Sequence, residues 1–108
     1  MDLIALRERL LAERASLEEL SQGSRDARQP VALDQQSDGR LSRMDAMQAQ
    51  AMALAAKRRR RVQMQRIDAT LRRIEEGEYG YCVGCGEEIA PRRLEIDPTA
   101  ALCTGCAR

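Results

Sequence analysis

Histidine, phenylalanine and tryptophan are absent from the 108 residues, and tyrosine occurs only twice. Without histidine there is no Ser/His/Asp triad and no imidazole acid, base or metal ligand. Without large aromatics a core must come from aliphatic side chains, yet Leu, Ile and Val together number only 20. That share lies near the boundary of disorder, but disordered chains also carry a high net charge, and here it is only +1. The expectation is an ordered protein with a thin core that needs another stabiliser. A sizeable α/β enzyme core is excluded, and no phosphate-cradling glycine loop or catalytic constellation appears, so the chain is not read as an enzyme. No apolar run approaches a membrane span, and the N-terminus lacks a basic region followed by an apolar stretch. A soluble, cytoplasmic protein without membrane contact is expected. What is abundant is alanine, at 16 residues, and charge, at 32%. That mixture favours long exposed helices over strands.

All four cysteines fall near the C-terminus: Cys82, Cys85, Cys103 and Cys106. Each pair is C-x2-C, and 17 residues separate the pairs. This is the paired-knuckle spacing of a four-cysteine zinc site. Each tight turn points two thiolates at one ion, and two turns complete a tetrahedron. Gly84, Gly86 and Gly105 sit in or beside the knuckles, where turns need backbone freedom. Two disulfides are disfavoured because nothing points to secretion. A redox C-x-x-C belongs in a βαβ context that is missing here. An iron–sulfur cluster uses the same ligands, so counting alone does not separate it from zinc. The expected cofactor is one Zn²⁺ per chain. With four protein ligands no position stays open for water, so the ion is structural.

Leu3, Leu10 and Leu17 recur every seven residues, with Leu6 and Leu20 between these rows and Ile4 and Leu11 widening the stripe. The pattern predicts an amphipathic helix over about 2–22, capped by Asp2 and closed by Gly23. Gly23, Ser24, Pro30, Ser37 and Gly39 mark a tip loop over about 23–41. Ser42 to Asp45 is an S-x-x-D helix start, and no proline or glycine follows before Gly77. A second helix over about 42–76 is expected. Its apolar face comprises Met44, Met47, Ala51 and Leu54, then Met64, Ile67, Leu71 and Ile74. Neither stripe can be hidden by one helix alone. The fold class is therefore mainly α: an antiparallel two-helix coiled-coil hairpin over 1–77, followed by a four-cysteine zinc-finger module over 78–108.

Lys57, Arg58, Arg59, Arg60 and Arg61 form a run of five positive charges, whereas residues 75–97 carry seven acidic side chains against two arginines. Five successive helical residues spread around the circumference, and no aromatic residues interleave for base stacking. Sequence-specific DNA contact is not expected, and docking on an acidic protein surface is the preferred reading. Asp34 and Asp38 lie in the tip loop. Asp45, at the start of the second helix, suits a capping role as well as a functional one.

Residues 79–106 read YGYCVGCGEEIAPRRLEIDPTAALCTGC. This stretch resembles the DksA/TraR family of zinc-finger transcription regulators. The resemblance rests on G-Y-C-x-x-C-G at Gly80–Gly86, on Ile89–Glu95 and on P-T-A-x-L-C-x-x-C at Pro98–Cys106. It implies a non-enzymatic, monomeric protein that binds RNA polymerase directly. The family's coiled coil enters the polymerase secondary channel and modulates initiation, often with the alarmone ppGpp of the stringent response. The best-known members carry D-x-x-D-x-A at the tip. Counted back from the cysteines, those positions hold Gly39, Ser42 and Met44 here. The segment Asp34–Ala46 looks more like the tip of the family's short branch, which makes Asp34, Asp38, Asp45 and Ala46 the tip candidates and Lys57–Arg61 the basic docking candidates. Two other functions compete: a zinc-stabilised nucleic-acid binder using the basic helix, and a thiol redox sensor using the two C-x-x-C pairs.

Overall fold

Asp2 accepts hydrogen bonds at Oδ1 from the backbone N–H groups of Ile4 (3.0 Å) and Ala5 (3.2 Å), and so caps the first helix as its sequence predicts. The computed structural model describes residues 2–27 and 39–107. Helix α1 spans Leu3–Ala27, α2 spans Gly39–Glu75 and the short α3 spans Pro91–Ile96. The described residues contain no extended strand, only an isolated antiparallel bridge between Tyr81 and Glu88. None of their helices is long and apolar enough to cross a membrane.

Two helix boundaries correct the sequence reading. The predicted stop at Gly23 fails, because α1 runs on to Ala27. An exposed glycine inside a helix costs only about 1 kcal/mol. Helix α2 begins at Gly39, three residues before Ser42, so the S-x-x-D motif lies inside its first two turns and does not start it. Arg40 and Leu41 are good helix formers with no proline among them, so the helix propagates upstream. The tip loop thus loses both flanks, and its remainder, 28–38, lies outside the described residues.

The other end of α2 stops where expected. Gly77 adopts φ +73, its N–H donates to Ile74 O (3.2 Å), and Glu78 N–H donates to Arg73 O (2.8 Å). These are the paired bonds of a Schellman cap, which needs a residue without Cβ strain at the left-handed position.

The chain forms two compact units, and both long helices contribute to each. The metal unit comprises Met1–Leu11 and Gln65–Arg108. Leu6 and Leu10 of α1 and Ile67 and Thr70 of α2 are buried in it, Leu10 at 1% exposure and Ile67 at 0%. Thr70 satisfies its hydroxyl by donating to Arg66 O (2.8 Å), one helical turn back. Beyond α2, a second small core gathers Cys82, Ile89, Leu94 and Ala100, with Tyr79 and Leu102 packed on it.

The helical unit comprises Ala12–Met64. Its two helices are joined at Ser21, a buried residue whose Oγ accepts a hydrogen bond from Arg60 Nε at 3.2 Å. The helices are antiparallel, so with Ser21 beside Arg60 the end of α1 reaches only to about residue 54 of α2. Met44, Met47, Ala51 and Leu54 are accordingly exposed, although their spacing marked them as part of the apolar face. Leu3, Ile4, Leu11 and Leu20 are exposed as well. The sheltered residues are fewer than the sequence stripe: Leu6, Leu10, Ile67, Leu71 and Ile74 in the metal unit, and Leu17 and Met64 in the helical unit.

Candidate metal centre

The first knuckle follows directly from the cap of α2. Cys82 N–H donates to Glu87 O and Ile89 N–H to Gly80 O, both at 2.8 Å, so the chain turns back on itself around the first C-x-x-C. Gly86, at φ +78, makes that return and donates its N–H to Cys82 O (2.9 Å). Gly84 serves a different purpose. A Cβ there would lie 3.3 Å from Cys106 Sγ, so glycine lets the two knuckles approach. Gly84 N–H also donates to Cys82 Sγ at 3.3 Å, the orientation a thiolate favours.

Helix α3, which the sequence reading did not identify, carries the chain between the knuckles. Pro91 opens it at a position where no N–H is needed. Its Arg93 donates from Nε to Leu102 O (3.0 Å), fixing the residue that precedes Cys103. The second knuckle then closes with Cys106 N–H and Ala107 N–H on Cys103 O, at 3.1 and 2.9 Å. Val83 N–H donates to Ala101 O (2.9 Å), which ties one knuckle to the approach of the other.

Together these contacts bring all four Sγ atoms within 4.8 Å of one another, with Cys85 and Cys103 3.7 Å apart. All four cysteines are free, so the disulfide reading does not hold. A tetrahedral ion with bonds of about 2.3 Å to sulfur has sulfur–sulfur edges of about 3.8 Å. The observed edge fits a single ion. A four-iron cluster spreads its cysteines over the corners of a cube and needs wider spacing. The electrostatics agree. Backbone amides, that of Cys103 foremost with Cys85 and Gly84, outweigh burial and hold the Cys82 thiol down to about 6. The neighbouring Cys103, Cys82 and Cys85 push Cys106 up to about 12. Cys85 is raised too: the backbone amide of Glu87 favours its thiolate, but the Cys82 and Cys103 sulfurs outweigh that. Four thiolates this close repel, and a divalent cation removes the conflict. Cys82, Cys85, Cys103 and Cys106 would hold one zinc ion here, each supplying one thiolate sulfur. Four sulfur ligands close it to substrate.

One contact ties this module to α2 and others brace it internally, and the sequence reading missed them. Arg66 Nη2 donates to Asp97 Oδ2 at 2.8 Å. Asp97 Oδ1 accepts from Thr99 N–H (3.2 Å) and Thr99 Oγ1 (2.9 Å). Partial burial raises the Asp97 pKa, but the Thr99 hydroxyl and the Arg66 guanidinium overcome it and hold the carboxyl below its ordinary 3.8. Tyr79 Oη donates to Pro98 O at 2.9 Å, and burial foremost raises its pKa. Sequence spacing gives no sign of these pairs, because their members lie 19 and 31 residues apart.

The other predicted site residues are dispersed. Asp34 and Asp38 lie outside the described residues. Asp45 is exposed on α2 and Ala46 is half-buried. In the basic run, Arg58, Arg59 and Arg61 are exposed, while Lys57 and Arg60 are half-buried. Arg60 is committed to Ser21 and is therefore part of the helix pairing. The run is an exposed arc with an inner edge.

Comparison with known proteins agrees with this geometry. Residues 77–108 match the family described as the prokaryotic dksA/traR C4-type zinc finger. The RNA polymerase-binding transcription factor DksA of Haemophilus influenzae is 46% identical over 56 residues, which cover 52% of this chain and 39% of that protein. Its Escherichia coli counterpart is 43% identical over 56 residues, covering 52% of this chain and 37% of that one. The match thus spans under two fifths of either relative's length. The structure of transcription factor DksA2 from Pseudomonas aeruginosa superposes with a TM-score of 0.74 at 28% identity, covering 97% of this chain and 79% of that chain.

Proposed function

We propose that this chain, whose residues 77–108 match the dksA/traR C4-type zinc finger, is a non-enzymatic transcription regulator that binds RNA polymerase directly. On this reading it is a cytoplasmic monomer whose helix pair enters the secondary channel and modulates initiation. The observation that carries the reading is the closed four-thiolate site that follows the C-terminal end of α2. A metal with no open position contributes folding energy and not turnover. The relatives matched over 56 residues are named RNA polymerase-binding transcription factors.

The parts then take separate roles. Asp34, Asp38, Asp45 and Ala46, which fall in sequence between the two helices or early in the second, act toward the catalytic centre, where carboxylates meet basic groups or metal-bound water. Arg58, Arg59 and Arg61 dock against an acidic surface at the channel rim, steered by charge. Participation of ppGpp belongs to the same proposal, as does the absence of sequence-specific DNA contact. The commitment of Arg60 to Ser21 supports this reading over a nucleic-acid one, because it narrows the basic ring available to phosphates.

A pull-down with core RNA polymerase and a run-off transcription assay test the proposal together. Asp34→Asn with Asp38→Asn is expected to leave capture intact and to alter initiation. Replacing Arg58, Arg59 and Arg61 with Ser is expected to weaken capture. Salt-sensitive binding to bare duplex DNA, without capture of polymerase, would favour the nucleic-acid reading instead.

A further inference from the structure

The helical unit carries an apolar stripe that its helix pairing leaves uncovered. Arg60 hydrogen-bonds Ser21 and so marks the side of α2 on which α1 lies. At about 100° per residue, Arg58 stands about 160° round the helix from Arg60, on the outer side. Met44, Met47, Ala51, Leu54, Arg58 and Val62 follow one another along that side at spacings of three, four, three, four and four residues. The row is about 27 Å long. Its four large apolar members are exposed, Met47 at 69%. Residues 46–56, AMQAQAMALAA, contain no charged residue, although charged residues make up 32% of the chain. A helix face kept for solvent carries its share of charge, and a long exposed apolar stripe marks an interaction surface. Ala51 at its centre lets a second helix approach closely, and the methionines adapt to the side chains they meet.

The charge beside the stripe has one sign. Arg43 and Arg58, both exposed, bracket the uncharged run, and Arg59 and Arg61 add to them. Asp45 is the only acid of α2 in this unit. It lies at least about 100° round the helix from every apolar member of the stripe. The described acidic side chains of α1 in this unit, Glu13, Glu18 and Glu19, belong to the helix on the Arg60 side. We infer that this outer face docks an amphipathic helix of another protein, one whose apolar stripe is flanked by Asp and Glu. Flanking charges choose the partner in such pairings. A second copy fits poorly. Parallel pairing sets Arg58 against Arg58, and antiparallel pairing about Ala51 brings Arg43 of one copy to Arg58 and Arg59 of the other. A lipid surface fits poorly too, because interfacial helices rely on aromatic anchors, and α2 has no aromatic residue. The inference goes beyond the polymerase reading and stands separately from it.

The test is equilibrium binding of the full, zinc-loaded chain to two synthetic helices about three heptads long, each with a Leu/Ala stripe, one flanked by Glu and the other by Lys. Met47→Gln with Leu54→Gln, and Arg43→Glu with Arg58→Glu, are compared with wild type. All four residues are exposed, so their replacement leaves folding intact, and zinc content and helicity verify that for each variant. The expected result is saturable binding of the Glu-flanked helix, with the Lys-flanked helix about tenfold weaker. Met47→Gln with Leu54→Gln should weaken the Glu-flanked helix about tenfold, and Arg43→Glu with Arg58→Glu should invert the preference between the two. Equal affinity for both helices, or none for either, overturns the inference. Wild type that ignores both helices but binds anionic phospholipid vesicles points to a membrane. Wild type that sediments as a dimer, dissociated by Met47→Gln with Leu54→Gln, points to a second copy. Either result also overturns the inference, and both leave the polymerase reading untouched.

Discussion

Arg66 and Asp97 meet at 2.8 Å, joining the last third of α2 to the turn that leads into the second zinc knuckle. Both side chains are more than two fifths exposed, so solvent screening limits the pair to well under 1 kcal/mol on its own. Asp97 also orders Thr99, and the Asp97→Asn variant loses charge on both interactions. A fall of a few degrees in thermal midpoint is expected at neutral pH. The folded carboxyl titrates below 3.8, so its contribution is complete above about pH 4 and vanishes as pH falls through the folded value. Thermal scans of wild type and Asp97→Asn should therefore differ at pH 7 and converge once the pH falls below the lowered pKa of the folded carboxyl.

Gly84→Ala places a methyl group 3.3 Å from Cys106 Sγ and 3.4 Å from Leu102 Cδ2. The sulfur cannot retreat without leaving the metal. Zinc should be lost to a chromogenic chelator faster than from wild type, while far-UV helicity stays close to wild type because the long helices do not depend on Gly84. A wild-type rate of zinc release would mean that the knuckles have room to separate.

Leu10 is fully buried, and truncating such a leucine costs about 2–5 kcal/mol. Leu20 belongs to the same sequence stripe but is 58% exposed. Leu10→Ala should lower the denaturation midpoint strongly and Leu20→Ala hardly at all. Equal losses from the two would mean that the whole leucine stripe packs.

Arg59 and Arg60 are neighbours with different duties. Arg60→Ser removes the bond to Ser21 and should reduce stability by about 1 kcal/mol, visible in urea melts. Arg59→Ser should leave the melt unchanged and weaken polymerase binding at low salt.

The metal centre was legible in the sequence because ligand spacing is local: two C-x2-C turns specify four convergent sulfurs almost without tertiary context. The caps at Asp2 and Gly77 were legible for the same reason. Gly23 misled, since one exposed glycine costs a long helix too little to stop it. The α2 stripe misled further, because periodicity records which residues share a face and not whether a partner helix reaches them. Met44 and Ile67 look alike in the pattern, and only the register marked by Ser21 and Arg60 separates them. Helix α3 has six residues, too few for periodicity to register. The ties from Arg66 to Asp97 and from Tyr79 to Pro98 depend on where the module folds back, which no local pattern encodes.

The most direct test of the account is an equilibrium titration of the zinc-loaded chain against core RNA polymerase at two salt concentrations, in parallel with bare duplex DNA. The account predicts saturable binding to polymerase that weakens as salt rises, with no comparable binding to DNA. Binding to DNA with none to polymerase would contradict it.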